Sequence, residues 1–81
     1  MDRVQIKNSE ATLFVDTRFY EYDAIMAAAD AFTSGCWVYV DGDAREKLMV
    51  CLKPRQKDVM LAEVGYEFYN HVLGLMKNAG R

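Results

Sequence analysis

The sequence predicts an α+β fold in which two helices cover one face of a small β-sheet. Some short segments alternate apolar with polar residues, which is typical of half-buried strands. Between and after them lie segments whose apolar residues recur at helical spacing. The chain has 81 residues, of which 52% are hydrophobic, enough for one domain with one core. The predicted elements follow in the order strand, helix, strand, strand, helix.

Residues 1–10 are the least regular part of the chain. Val4 and Ile6 alternate with polar residues, and a turn-forming pair follows. This segment is therefore predicted to be either a short extra edge strand or a flexible arm. The single domain is predicted over residues 11–81 and begins with a strand at 11–17, where β-branched and aromatic residues dominate.

The first helix is predicted after a bridge over residues 18–21. Its core-facing stripe consists of Ile25, Ala28, Ala29 and Phe32. Gly35 is expected to end the helix in the left-handed conformation that glycine adopts without steric cost.

The clearest local prediction is a β-hairpin. Strands over 36–41 and 47–53 are joined by an acidic, glycine-containing loop over 42–46. Pairing Val38 with Val50 puts the apolar residues of both strands on the same face of the sheet, so this register is the predicted one.

The two cysteines, Cys36 and Cys51, are expected to stay reduced. The predicted register points Cys36 into the core, opposite Leu52, and Cys51 to the other face, opposite Trp37. The chain starts without an apolar signal segment, and no apolar run approaches the roughly 18 residues of a membrane span. We therefore expect a cytoplasmic protein, where thiols remain free.

A long second helix is predicted from Asp58, its N-cap, to about Asn78. Its apolar stripe consists of Leu61, Val64, Phe68, Val72 and Leu75. Gly65 interrupts this helix at a cost of about 1 kcal/mol relative to alanine, so we expect it where the helix closely contacts the first helix.

A right-handed crossover makes the first two predicted strands parallel and places the third, antiparallel, between them. The result is a two-layer βαββα arrangement with a three-stranded sheet in the order 1-3-2 and both helices on one face. It corresponds to a ferredoxin-like domain that lacks its last strand and has two open sheet edges. The predicted core consists of Val38, Val50, Leu48, Ile25, Phe32, Leu61, Val64 and Phe68.

No sequence pattern indicates catalysis, a metal ion or a cofactor. The chain has one histidine, no Cys-x-x-Cys pair and no Gly-rich phosphate loop. His71 has only one carboxylate at helical spacing, so it is predicted to be a surface or helix-packing residue. The segment Asp41-Gly42-Asp43 starts like a calcium loop but lacks the rest of that pattern, which favours a turn.

An apolar patch is predicted on the outward face of the sheet. Its members are Phe14, Trp37, Tyr39, Met49 and Cys51. Because proteins in water rarely leave such a patch bare, either the N-terminal arm or a second copy covers it, or it is a surface for a protein or peptide partner. Sheets that bind RNA have basic residues beside their exposed aromatic residues. Here aspartates lie beside the aromatic residues, so no nucleic-acid partner is expected.

A small basic cluster precedes the last helix. Lys53, Arg55 and Lys57 form either a solvated loop or a weak contact for an anion or acidic peptide at the helix N-terminus. The net charge of −2 predicts no general attraction to nucleic acid.

Between about Leu13 and Leu73 the sequence resembles the His-Xaa-Ser system protein HxsD family. The resemblance rests on Val15-Asp16-Thr17 with Tyr20, Ala24-Ile25 with Ala28, Phe32-Thr33, Trp37-Val38-Tyr39-Val40-Asp41, Leu52-Lys53-Pro54, and Glu67-Phe68 with Asn70. The polar run that typically ends the family is replaced here by Val72-Leu73-Gly74-Leu75-Met76-Lys77.

Members of this family are small proteins encoded beside radical-SAM maturases and a precursor with His-Xaa-Ser repeats. The resemblance implies an accessory role in maturation of a ribosomally made peptide, through binding of the maturase or the precursor, without activity of its own. The alternative prediction is a ferredoxin-like homodimer that binds a small ligand or serves as a regulatory subunit.

Overall fold

The structure, a computed structural model, describes residues 4–78 and has an α+β fold. Its elements are β1 (Val4–Lys7), β2 (Glu10–Asp16), α1 (Tyr22–Phe32), β3 (Cys36–Asp43), β4 (Lys47–Pro54) and α2 (Leu61–Asn78). The strands form one four-stranded sheet in the order β1-β2-β4-β3, and all neighbours are antiparallel. The outermost residues of the predicted arm and domain, 1–3 and 79–81, lie outside the described residues.

The predicted three-stranded sheet is wrong in strand number, because the N-terminal segment adds a fourth strand. Of the two alternatives for residues 1–10, the structure has the edge strand, β1, paired with β2. Asn8 and Ser9 make the tight turn between them with φ angles of 56° and 63°. These are left-handed values, which asparagine adopts more readily than most residues.

The register of the β3–β4 hairpin differs from the predicted one by two residues. Val38 pairs with Leu52 instead of Val50. β3 also continues to Asp43, so the loop is shortened to residues 44–46. Because side chains alternate between the two faces of a sheet, a shift of two residues leaves each of them on its predicted face.

The core lies between the sheet and the two helices. Its largest fully buried side chains are Phe68, Leu13, Ile25, Leu52, Val15, Val50 and Val72. Of the eight predicted core residues, Ile25, Leu48, Val50 and Phe68 are buried. The other four, Val38, Phe32, Leu61 and Val64, are only partly buried against that core. Val38 lies on an edge strand, and Phe32 and Leu61 lie at helix ends, where fewer neighbours surround them.

The predicted end of the first helix and the predicted start of the second helix are both wrong. α1 ends at Phe32, and its C-cap Thr33 is right-handed and donates its hydroxyl to the Asp30 carbonyl at 2.6 Å. Gly35 is not left-handed, since Gly42 is the only described glycine with a positive φ. α2 begins at Leu61 instead of Asp58. Directly after β4, the Arg55 N–H donates to the Gly35 carbonyl at 3.0 Å, next to the start of β3.

Gly65 allows α2 to approach the N-terminal edge strand. A Cβ atom at this position would lie 2.6 Å from Cγ1 and 2.7 Å from Cγ2 of Val4. The predicted contact between Gly65 and the first helix is therefore wrong, because the neighbour is β1. The missing side chain lets the helix cover the edge of the sheet.

We predict that Gly65→Ala lowers the free energy of unfolding, although alanine is the better helix former. The new methyl group overlaps Val4, and such overpacking costs about 1–3 kcal/mol. Gly74→Ala is the matched control, since a Cβ atom there meets nothing within 4 Å, and it should stabilise the protein by about 0.5–1 kcal/mol. Urea denaturation measures both changes. Adding Val4→Ala should recover part of the loss at Gly65, and equal stabilisation by both alanines would contradict the close approach.

We also predict that Phe68→Ala lowers the free energy of unfolding by about 3–5 kcal/mol. Phe68 is fully buried, and its ring meets Phe32 edge to face with the centroids 5.2 Å apart. Leu73→Ala on the same helix is the control, because Leu73 is 46% exposed and should lose less than about 1 kcal/mol. Thermal denaturation tests the pair. A Phe68→Ala protein that melts within a few degrees of the unaltered protein would show that α2 packs through another face.

Candidate binding site

The helices leave one face of the sheet uncovered, and the five residues of the predicted apolar patch lie on it. They are Phe14 on β2, Trp37 and Tyr39 on β3, and Met49 and Cys51 on β4. Phe14 pairs with Met49, and Cys51 pairs with Tyr39 instead of the predicted Trp37. These cross-strand pairs make the patch continuous over three strands. We call it the aromatic face.

The aromatic face is open to solvent in the described part of the chain. Trp37 is 61% exposed, Tyr39 is 58% exposed and Phe14 is 41% exposed, while Met49 and Cys51 are half-buried. Strand β1 does not cover them, since it lies at the edge of the sheet farthest from β3. Within residues 4–78, no helix or strand covers this surface.

One further member of the aromatic face, Thr12, was missed by the sequence analysis. It pairs with Cys51, and its Oγ1 lies 3.6 Å from the Cys51 Sγ. The signal was present, because Thr12 alternates with buried Leu13, but a search for apolar residues passes over it. The other thiol, Cys36, is buried on the opposite side of the sheet, and this burial raises its pKa.

The two most exposed residues of the aromatic face, Trp37 and Tyr39, lie on β3, an edge strand. No other described strand pairs with its outer side. Near the hairpin loop, the Asp41 carboxylate makes local hydrogen bonds. Its Oδ1 accepts the Gly42 N–H at 2.7 Å, and its Oδ2 accepts the Tyr39 hydroxyl at 3.3 Å. The Asp41 charge raises the pKa of Tyr39. The freely accessible part of the edge is therefore the stretch 36–40.

A groove of about 560 Å³ opens beside Trp37, between the end of β4 and the start of α2. Its lining residues are Ser9, Trp37, Lys53, Pro54, Arg55, Gln56, Lys57, Val59 and Leu61. All three residues of the predicted basic cluster therefore border one groove. α2 begins on its wall at Leu61, three residues later than the predicted N-cap Asp58.

Arg55 links the basic groove to the aromatic face. Its Cζ lies 4.0 Å from the centroid of the Trp37 ring, a close cation–π contact. Its Nη2 donates to the Thr33 carbonyl at 3.0 Å. The contact was missed because it follows from the true register: Trp37 pairs with Lys53, which makes Arg55 its diagonal neighbour.

A second charged group lies at the opposite end of the sheet, where β2 ends. Arg18 binds Asp16 through Nη2 at 2.7 Å, and the Arg18 N–H donates to Asp16 Oδ1 at 2.8 Å. The hydrogen bonds from Arg18 lower the pKa of Asp16 to about 2. These charges satisfy each other and shape the turn that leads into α1.

The remaining candidate residues have structural surroundings. His71 is exposed on α2 with its ring centroid 5.7 Å from that of Phe32. Asp43 accepts the Arg45 N–H at 2.9 Å within the hairpin loop. Among residues 4–78, no three His, Cys, Asp or Glu side chains are grouped so as to hold a metal ion. Neither of the two helices in this range is both long and apolar enough to span a membrane.

Comparisons with protein-family models, with curated proteins and with solved structures find no match to this chain. Both the resemblance to the HxsD family and the ferredoxin-like relationship therefore stay predictions. The candidate binding surface is the aromatic face, whose most exposed rings lie on the edge strand β3, together with the adjacent basic groove.

We predict that iodide quenches the fluorescence of Trp37, the only tryptophan, more efficiently than caesium does. The exposed ring lies among three cations, which concentrate anions and repel cations. Quenching constants at constant ionic strength, each divided by that of a free tryptophan amide, measure the difference. Lys57→Gln should reduce the iodide advantage, and Arg45→Gln in the hairpin loop should not. Equal normalised constants would contradict a positive potential at Trp37.

Proposed function

We propose that this protein is a non-catalytic binding module that takes up an extended peptide segment of a partner protein at β3. The observation that carries the proposal is the location of Trp37 and Tyr39, both more than half exposed, on the outward face of an edge strand. Trp, Tyr, Phe and Met are the residue types enriched at interface cores, and the aromatic face contains all four.

Strand addition is the mechanism that fits this location. An added strand would bond to the free backbone edge of β3, and its outward side chains would lie about 5 Å from those of Trp37 and Tyr39. The accessible stretch 36–40 corresponds to roughly 17 Å of extended peptide. Backbone bonds would supply affinity and the aromatic pair would supply side-chain preference.

The other edge of the sheet is a poorer docking site. β1 has four residues, and its side chains on the uncovered face are Gln5 and Lys7. Short edge strands with lysine are a common protection against unwanted pairing. This contrast favours β3 as the edge that receives a partner.

The family resemblance supports a specific setting for this binding. We propose an accessory role in maturation of a ribosomally made peptide, in the cytoplasm and without a cofactor, with the radical-SAM maturase or the His-Xaa-Ser precursor as partner. A ferredoxin-like origin is supported by the sheet order, since β1 adds an antiparallel strand beside β2 at the edge that a truncated βαββα domain leaves open.

A second candidate function uses the same edge. Two copies could pair through β3 and bury Trp37 and Tyr39 against each other, giving the homodimeric ligand-binding or regulatory subunit predicted as the alternative. The exposed aromatic face favours either reading, but only the dimer changes the mass in solution. Sizing at micromolar concentration separates a 9.3 kDa monomer from a species of twice that mass.

We predict that the protein binds the precursor or the maturase encoded beside it, and that Tyr39→Ser weakens this binding at least tenfold. The substitution removes an exposed ring from the edge without disturbing the core. Tyr66→Ser is the matched control, because Tyr66 is 51% exposed on α2, away from the aromatic face. Isothermal titration measures the affinities.

Two results would refute the proposed function. One is the absence of binding by the unaltered protein to either neighbour. The other is equal weakening by Tyr39→Ser and Tyr66→Ser, since the aromatic face would then have no special part in the contact.

A further inference from the structure

The groove beside Trp37 carries a positive charge that the described part of the protein does not neutralise. Lys53, Arg55 and Lys57 line it, and no carboxylate is among the lining residues. Elsewhere arginines have carboxylate partners: Arg18 lies 2.7 Å from Asp16, and Arg45 lies 3.7 Å from Asp43. No described carboxylate is within ion-pairing distance of the three groove cations.

We infer that this groove recognises an acidic segment of the peptide partner, an inference that rests on the proposed strand addition at β3. The ligand chemistry is a short run of Asp or Glu side chains at one end of the docked strand. Carboxylates form charge-assisted hydrogen bonds with guanidinium and ammonium groups, which are stronger than bonds between neutral groups.

Arg55 is already positioned for this role. The cation–π contact with Trp37 and the bond from its Nη2 to the Thr33 carbonyl at 3.0 Å hold the guanidinium group, and the bond from its backbone N–H to the Gly35 carbonyl, also at 3.0 Å, holds the main chain. These partners are a ring and two backbone carbonyls, so the positive charge remains available. A side chain held in its binding geometry loses less conformational entropy when a ligand arrives.

The groove lies at the end of the sheet where β3 begins and shares one residue with this strand. Trp37 belongs to both, since its ring lies on the aromatic face and also lines the groove. A strand that runs along β3 from Tyr39 to Trp37 therefore leads towards the basic cluster. Apolar side chains would lie at the aromatic face, and the acidic ones would follow at the end next to Arg55.

A peptide fits this surface better than a nucleic acid. Three cations at one end are too few to follow a phosphate backbone, whose binding depends on many phosphate contacts. The other end of β3 carries Asp41 and Asp43, which would repel a continuing polyanion. The net charge of the whole chain is −2.

The test uses synthetic peptides in which Val and Thr alternate. One peptide carries three Glu at its N-terminus and another carries them at its C-terminus. Each has a neutral twin in which Gln replaces Glu. One of the acidic peptides should bind at least tenfold more tightly than its neutral twin, measured by titration of Trp37 fluorescence. Added salt should reduce this advantage.

Substitutions assign the advantage to the groove. Lys57→Gln and Arg55→Gln should each remove most of it, while Arg45→Gln, an exposed cation at the far end of β3, should leave it intact. Lys57 makes no hydrogen bond or ion pair within the described residues, so its variant tests the groove even if the Arg55 variant folds poorly.

Three outcomes would overturn the inference: no binding of either acidic peptide, affinity for them no greater than for their neutral twins, or equally tight binding of an oligothymidylate of the same charge. Failure of the inference is distinguishable from failure of the proposed function. If all peptides bind equally and Tyr39→Ser weakens each of them, strand addition stands and only the acidic preference is lost.

Discussion

Two helices can cover only one face of a four-stranded sheet, and the character of this protein follows from that constraint. The covered face contains the core, with Leu13, Val50 and Leu52 fully buried against α1 and α2. The opposite face has the same backbone but no layer above it, so each side chain there must be stable in water or in contact with a partner. Aromatic side chains on this face add nothing to the core, and an exposed apolar patch of this kind is typical of an interaction surface.

The position of β3 concentrates the available binding features in one place. As an edge strand, it offers backbone donors and acceptors. Its outward residues Trp37 and Tyr39 offer rings, and its start lies beside the groove that contains Arg55. The hairpin end of the strand is occupied by the hydrogen bonds of Asp41. The backbone edge of β3, its two aromatic rings and the charge of Arg55 would thus all contact the same short stretch of a bound peptide.

Sequence reasoning predicted the faces of the hairpin strands correctly but not the residue register between them, and both results have the same cause. Alternation has a period of two, so it assigns Trp37 outward in any register that keeps the pattern. A shift of two residues keeps it too, and for this reason the Trp37–Arg55 contact was missed. β1 was left undecided because four residues with two apolar side chains give little signal, and the neighbour of Gly65 could not be found without it. The partner of the site remains a proposal, because a strand edge, aromatic rings and cations specify a class of ligand and not one particular protein.

Val4 and Gly65 bring together the first strand and the last helix of the described chain, so this contact can form only after most of the chain has been made. During synthesis β1 leaves the ribosome early, whereas α2, against which Val4 packs, emerges last of all the described elements. Until then β1 is held only by its pairing with β2, and no helix covers the side chain of Val4. The N-terminal edge of the sheet is therefore covered only once α2 is available, and a nascent chain that ends before Gly65 leaves the apolar side chain of Val4 exposed at that edge.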